Sequence, residues 1–503
     1  MQPDPGRTDL EARLRAWCPD VERVTATHIS VLAFTPDRVY KTKRPVAFPF
    51  VDLSTIDRRR AVCNDEVRLN RRLAPDVYLG IDELPATGDL PAEPVVVMQR
   101  LPDARRLSEL VAAGAGVECL DALADRIAAF HASAHRGPEV DACASHAFVS
   151  DLWERGFDGW SAFRGGLLDE AAVAEVEAAA RAYLAGRAPL FAARVAAGRA
   201  VDGHGDLLTQ DVFCLDDGPR VLDCLEFSDE LRFGDVLADL AFVAMDLERR
   251  DAPILARRFL DRARLAEHDD WPASLEHHWI AYRAHVRAKV ACLRAADGAD
   301  PEAAAHAAAD LELTRGHLAA ATVRIVAIGG LPGSGKSTLA TEYAARSGSV
   351  LVRSDIVRKA RVGRAPDSDA SAPVDSGLYT PEARAAVYDD LLGEAARHVG
   401  LGVSVVLDAS WSEPSARAAL VRLGRECFAA VDTFECRVPD DVALERLAAR
   451  AASGGDASDA GPEVFAAMRS RWEPWAGAHV VATEAPVADL VGRVADAVRR
   501  REA

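Results

Sequence analysis

The segment Gly330-Leu331-Pro332-Gly333-Ser334-Gly335-Lys336-Ser337 has the spacing G-x-x-x-x-G-K-[ST], and Thr338 follows it. These residue types at this spacing suit one task, holding phosphate. Glycines let backbone N–H groups turn inward around phosphate oxygens, a lysine reaches the terminal phosphates, and the next hydroxyl ligates Mg²⁺. Nearby residues could move a proton or hold an anion: Asp355 and Arg358 in Arg353-Ser354-Asp355-Ile356-Val357-Arg358, and Asp408 after the apolar run Val403 to Leu407. Arg446 and Arg450 share a helix face at i,i+4 spacing. Far upstream, Asp206 in His204-Gly205-Asp206, Asp211 and Asp223 supply carboxylates, and Lys41 and Glu66 offer opposite charges. Only five of the 60 basic residues are lysine (Lys41, Lys43, Lys289, Lys336, Lys359). Arginine replaces lysine freely on a solvated surface but not where a compact ammonium meets phosphate. Lys41 therefore stands beside Lys336 as a candidate phosphate lysine.

These groups can act only if the chain positions them. A phosphate loop needs a strand before it and a helix after it, whose N-terminus adds positive dipole. Val323 to Ile328 predicts that strand and Leu339 to Arg346 that helix. Val350 to Val352 predicts a strand before Asp355. Asp355 and Asp408 then both stand at C-terminal strand ends, where open α/β sheets bind ligands. From residue 323 onward strand and helix patterns alternate, as in a parallel α/β unit. Upstream, Ile29 to Phe34 and Arg38 to Thr42 read as two strands, Asp57 to Leu73 as a helix and Pro94 to Met98 as a buried strand. Lys41 and Lys43 share one strand face by alternation. Residues 105–200 and 236–296 have helical periodicity, with short strands and loops over 201–227. Asp300-Pro301 predicts the N-terminus of a helix running to about Ala319, at a domain boundary. Arg364 to Gly377 and Ala451 to Gly461 are low-complexity stretches expected to form loops.

At 503 residues, 49% hydrophobic and 27% charged, the chain is a multi-domain globular protein by composition. No N-terminal signal pattern and no run near ~18–20 apolar residues occurs, so the expectation is a cytoplasmic protein with no membrane span. Nine scattered cysteines without C-x-x-C argue against a disulfide framework and a zinc site. Net charge is −18, of which −15 falls before residue 323 and −3 after it. The acidic front should repel nucleic acid and anionic membrane, whereas the near-neutral back could take a phosphorylated ligand through a local patch.

His204-Gly205-Asp206 ahead of the strand-like run Pro219 to Asp223 resembles the core of aminoglycoside phosphotransferase-like kinases, choline-kinase-type relatives included. Val39-Tyr40-Lys41, Glu66 within Asn64 to Leu69, Met98 to Pro102, Gly234-Asp235 and Asp239-Leu240-Ala241 extend the resemblance. It implies a bilobal, protein-kinase-like domain over 1–318, with a small lobe over about 1–100 and a large lobe over about 101–318. It also implies ATP and Mg²⁺. Lys41 would be the nucleotide lysine with Glu66 as partner and Lys43 in reserve, and Met98 to Pro102 the adenine hinge. Asp206 would be the base, and Asp211 and Asp223 the metal ligands. Two departures stand out: Asp211 occupies the family's asparagine position, and the first hairpin has no clear glycine-rich loop. Arg283, Arg287 and Lys289, on one late helix, could line an acceptor pocket or form a solvated face.

The S-D-x-x-R segment behind the glycine loop resembles P-loop kinases of the polynucleotide-kinase, zeta-toxin and gluconate-kinase kind, over 319–503. The resemblance implies that Asp355 takes the acceptor's hydroxyl proton, Arg358 holds the acceptor, and Asp408 and Ser337 serve Mg²⁺. Gly330, Gly333, Ser334, Gly335, Lys336 and Thr338 would cradle ATP phosphates, and Arg446 and Arg450 would belong to a lid reaching Ser458-Asp459-Ala460. The basic cluster Arg353, Arg358, Lys359, Arg361 and Arg364 lacks interleaved aromatics, which favours a small or nucleotide-like acceptor over a nucleic acid. The whole chain resembles bacterial fusions of such a kinase domain with an AAA-type ATP-binding domain. The expected fold class is therefore α+β in front and parallel α/β behind. Three readings remain: a bifunctional kinase, an active back domain regulated by a pseudokinase-like front, and a P-loop ATPase switch. Neither acceptor nor oligomeric state follows from the sequence.

Overall fold

The computed structural model describes residues 5–48, 51–296, 298, 301–365, 380–453 and 461–499. The chain divides into two compact units. The first comprises 1–168, 194–271 and 279–314, and the second 169–193, 272–278 and 315–503.

In the first unit, strands β1 (Arg23–Ala26), β2 (Ser30–Phe34), β3 (Arg38–Lys43), β4 (Tyr78–Leu84) and β5 (Glu93–Gln99) form an antiparallel sheet in the order β1-β2-β3-β5-β4. Period-two alternation gives the sheet two apolar faces. One packs helix α1 (Pro5–Trp17) through Leu10 and Leu14 against Val31, Ala33 and Val95. The other packs α2 (Ile56–Asn70) through Cys63 and Val67 against Val39, Val96 and Met98. The Thr55 hydroxyl accepts from the Arg58 N–H and caps α2, which points Glu66 inward at the β3 lysines. Beyond the sheet lie α3 (Val117–Ser133), β6 (Ala200–Asp202), β7 (Val212–Leu215), β8 (Gly218–Val221), β9 (Phe233–Asp235) and α4 (Val236–Glu248). Helix α5 (Ala273–Ala296) follows. β7 pairs with β8, and β6 with β9, each antiparallel.

In the second unit, β10 (Arg324–Gly329), β11 (Val350–Arg353), β12 (Val405–Asp408), β13 (Ala430–Arg437) and β14 (His479–Ala482) form a parallel sheet in the order β11-β12-β10-β13-β14. The phosphate-loop strand is central and buried over five of its six residues. Helices α6 (Lys336–Ser347), α7 (Ser354–Ala360), α8 (Pro381–Gly400) and α9 (Asp440–Ser453) complete the elements that carry the site. Parallel register sets Ile328, Asp408 and Arg353 side by side at the C-terminal edge.

The fold amends several expectations. The helix predicted from Asp300-Pro301 runs Ala303–Ala320, and Asp300 itself lies outside the described residues. So do 366–379 and 454–460, which hold most of both low-complexity stretches and Ser458 to Ala460. Asp223 is not on a strand but two residues past β8, in the left-handed region at φ 63°. Cys119 of α3 and Cys214 of β7 form a disulfide across 95 residues. Spacing gave no sign of it because only the tertiary fold brings the two together.

Candidate active sites

In the first unit, Glu66 is wholly buried between two lysines. Its Oε1 lies 2.8 Å from Lys41 Nζ and its Oε2 lies 2.7 Å from Lys43 Nζ. Lys41 Nζ also meets Asp223 Oδ1 at 2.8 Å, while Lys43, itself inaccessible, pairs with Glu226. Alternation puts both lysines on one face against Glu66, and their two-residue offset along β3 gives them different second partners. Lys41 lines a cavity of about 470 Å³ with Val39, Met98, Gln99, Asp211 and Asp223, and Lys43 does not. Arg100 and Leu101 are on the same wall. The N–H groups of Gln99 and Arg100 are taken by Val77 and Asp37 carbonyls. The first hairpin closes through Thr27, whose Oγ1 accepts from Ser30 N (3.0 Å), and Arg44 Nη1 donates to the Thr27 and His28 carbonyls (2.7 and 2.8 Å). Thr27, His28 and Ile29, in the turn between β1 and β2, face the cavity.

Asp206 sits on the wall common to this cavity and a second one of about 730 Å³. The loop bearing it is fixed by Asp239, whose Oδ2 accepts from His204 N (2.6 Å) and whose Oδ1 accepts from Gly205 N (2.9 Å). Asp239 is braced in turn by His131 Nε2 (3.2 Å), and His131 Nδ1 meets Glu267 (2.7 Å). Asp235 caps α4 and holds Arg194. The D-L-A segment is thus the anchor of the Asp206 loop. Burial, opposed by Arg287 and reinforced by Asp223, raises the Asp206 carboxyl to about 6. Lys41, outweighing burial, holds Asp223 down to about 2. Burial and the charges of Asp223 and Asp206 push Asp211 well up. Asp206 and Asp211 are both raised in part by the charge of Asp223, so a further cation would be favoured beside them. Carboxylate oxygens of this kind suit Mg²⁺ held jointly with phosphate oxygens.

In the second unit the glycine loop forms as its spacing predicts. Gly330 and Gly333 have φ of 141° and 78°, and a Cβ on either would lie 2.6 Å and 2.5 Å from the carbonyl oxygens of Cys436 and Ala443. Only glycine leaves this cradle open at the N-terminus of α6. Ser334 Oγ is buried without a partner among the described residues, and the Ser334 carbonyl accepts from the Thr483 hydroxyl. Arg446 Nη2 donates to the Thr483 carbonyl (2.9 Å), and its Nη1 would lie 3.3 Å from a Cβ on Gly335, so Arg446 is held against the loop. Arg450, one turn on, is half-buried.

Asp408 is buried; Oδ2 accepts from Arg353 Nε (3.2 Å) and Oδ1 has no partner among the described residues. Burial pushes its pKa up against the pull of Lys336 and Ser337. An unmatched carboxylate oxygen beside a lysine and a serine at the foot of a phosphate loop fits Mg²⁺. Lys336, Asp355 and Arg358 line one cavity of about 300 Å³ with Arg384, Tyr388 and Glu413. Asp355 and Arg358 pair with each other across one turn of α7.

The basic cluster around α7 is not an open patch. Arg353 pairs with Asp408, Arg358 with Asp355 and Arg361 with Asp390, and Lys359 is 1% exposed. Several residues at the two sites were not foreseen. These are Glu226, His131, the Thr27 to Ile29 turn and Tyr388, whose hydroxyl bonds Ser410 (3.2 Å) and accepts from Trp411 N (2.9 Å). Only Glu226 had a sequence signal, the second lysine on β3.

A family model described as an AAA domain (AAA_33) matches residues 325–475. No helix among the described residues is long and apolar enough to cross a membrane. Among solved structures, a choline/ethanolamine kinase family protein from Mesorhizobium loti is similar at 16% identity and TM-score 0.40. It covers 63% of this chain and 99% of that one. A gluconokinase from Sinorhizobium meliloti is similar at 18% identity and TM-score 0.26, covering 36% of this chain and 94% of that one. The matched AAA domain falls on the parallel sheet of the second unit, and the first unit is an antiparallel sheet with helices. The uncharacterized protein Rv2004c of Mycobacterium tuberculosis is 40% identical over 471 residues, covering 93% of this chain and 94% of the relative. At that identity and coverage, the chain belongs to the family of this mycobacterial protein.

Proposed function

We propose that the chain is a bifunctional, ATP-dependent phosphotransferase with one ATP–Mg²⁺ site in each unit, each acting on a hydroxyl of a small or nucleotide-like acceptor. What supports the reading most is the position of Asp206, on the one wall shared by a lysine-bearing cavity and a second, larger cavity. A base between a nucleotide and an acceptor is what phosphoryl transfer needs.

In the first unit Lys41, oriented by Glu66, would hold phosphate, and Asp211 and Asp223 would hold Mg²⁺. Asp206 would orient the acceptor hydroxyl and take its proton. In the second unit Gly330 to Thr338 would cradle the phosphates, and Ser337 and Asp408 would hold Mg²⁺. Asp355 would accept the proton, Arg358 would hold the acceptor, and Arg446 and Arg450 would face the transferring group. When bound, Mg²⁺ would neutralise charge on the phosphates. A small or nucleotide-like acceptor is favoured over nucleic acid in the second unit, and no membrane takes part. A second reading, a regulatory front unit, is favoured by Asp211, which puts a third acidic group where the related kinases carry an amide.

ADP release by the full chain separates the two. Lys336→Ala should silence the second site. Turnover that survives in that variant and disappears on adding Asp206→Asn means two working sites. If Asp206→Asn changes nothing in the Lys336→Ala background, the bifunctional reading fails and the regulatory one stands.

A further inference from the structure

The 730 Å³ cavity beyond Asp206 has a mainly apolar wall that includes Leu152, Phe227, Leu231, Phe242, Trp279 and Val290. Its charged groups fall into two classes. Arg232, Asp235 and Asp239 are already engaged: Arg232 by Asp202 and Asp229, Asp235 by Arg194, and Asp239 by His131 and loop N–H groups. Three cations of α5 are not. Arg283, Arg287 and Lys289 all reach the cavity, and none forms an ion pair among the described residues.

Each of the three is set in place. Arg283 is buried, donates Nε to the Ala238 carbonyl (2.9 Å) and lies 4.1 Å from the Phe242 ring centroid. Arg287 has a buried Nε with no hydrogen-bond partner among the described residues. Lys289 is half-buried, its stem pressed on Gly159, where a Cβ would lie 2.7 Å from Cδ. Burial pushes the Lys289 ammonium down, and so does nearby Arg155. The acids left over on this wall are Asp206, which faces the nucleotide cavity too, and Glu230, exposed at the edge.

Three cations against two acids, none of them joined in an ion pair among the described residues, are costly in a mainly apolar cavity unless something of negative charge joins them. A cationic acceptor would add like charge to the same wall. From this we infer that the first unit's acceptor is an anion with an apolar body: a hydroxyl compound that carries a carboxylate or phosphate away from the hydroxyl. The inference rests on reading this unit as a phosphotransferase. In the reaction the acceptor oxygen bonds to the γ-phosphorus, the bond from that phosphorus to the β-bridging oxygen breaks, ADP leaves, and the hydroxyl proton passes to Asp206.

The test uses the full chain carrying Lys336→Ala, so that only the first site turns over. The probes are ω-hydroxyoctanoate, octanediol and the trimethylammonium analogue of the same chain length, each followed by calorimetric binding and by ADP release. ω-Hydroxyoctanoate should bind roughly tenfold or more tightly than octanediol, as expected of hydrogen bonds to a charged group, and the ammonium analogue should bind most weakly. Lys289→Gln and Arg287→Gln, checked for folding by circular dichroism, should each erase most of that preference by raising KM more than they lower kcat. Equal binding of anion and diol, or preference for the ammonium probe, overturns the inference while leaving the phosphotransferase reading intact. Selective binding of the anion with no Asp206-dependent ADP release overturns the acceptor role and the phosphotransferase reading beneath it.

Discussion

The two lysines of β3 differ by only two positions, yet the structure assigns them different work, and Lys43→Met against Lys41→Met exposes the difference. Lys43 has 0% side-chain exposure and binds Glu66 and Glu226, which are 0% and 5% exposed. Replacing it leaves two buried carboxylates with one ammonium between them. Removing one partner of a buried pair costs about 3–5 kcal/mol because an uncompensated charge remains. At roughly 2–4 °C per kcal/mol for a domain of a few hundred residues, the first unit's melting transition should fall by about 6–20 °C. Lys41→Met is milder for the fold. Glu66 keeps Lys43 at 2.7 Å, and Asp223 has half its side chain open to the cavity. The loss there should be about 1–2 kcal/mol, since exposed carboxylates stay hydrated. For nucleotide the order reverses, because only Lys41 faces the cavity. Lys41→Met should weaken binding of a non-hydrolysable ATP analogue by roughly tenfold or more, a charge-assisted contact being lost. Lys43→Met, kept below its melting temperature, should bind the analogue nearly as the parent does. Scanning calorimetry and analogue titration in the Lys336→Ala background read both quantities. Equal destabilisation by the two variants, or loss of nucleotide binding in a folded Lys43→Met protein, would refute the assignment.

Three other outcomes can be checked directly. Gly333→Ala should abolish nucleotide binding at the second site, measured by titration in an Asp206→Asn background, because the new Cβ meets the Ala443 carbonyl oxygen at 2.5 Å in a left-handed conformation. His131 is raised from 6.5 to about 9 because its bonds to Asp239 and Glu267 outweigh burial. A raised histidine stabilises the fold fully below its unfolded pKa, so this contribution, roughly 3 kcal/mol, should be lost as pH rises from about 6.5 through about 9. Urea melts should show that decline and His131→Gln should flatten it. Dithiothreitol should lower the first unit's melting point. Opening the Cys119–Cys214 loop frees 95 residues of chain, worth about 4–5 kcal/mol on a loop-entropy account, and Cys214→Ser should make the protein indifferent to the reductant.

The sequence by itself determined what is written in contiguous residues. Gly330 to Ser337 carries the whole phosphate cradle because spacing alone fixes which N–H groups converge. Period-two and period-3.6 patterns placed β2, β3, α2, β10 and α6 to within a few residues. The His204-Gly205-Asp206 loop was likewise legible as a local motif. Tertiary structure alone decided what depends on residues far apart in the chain. It gave Glu66 two lysines and Lys43 a second acid, Glu226. It joined Cys119 to Cys214, and it moved Asp223 off its strand into a left-handed turn beside Lys41. It paired Arg353 and Arg361 of the basic cluster around α7 with Asp408 and Asp390, which arrive from elements that no spacing rule connects to it. It also set Arg283, Arg287 and Lys289 on a mainly apolar wall with no ion pair among the described residues. Local pattern fixes which way a side chain leaves its own helix or strand. Which charge it meets there is set by long-range packing.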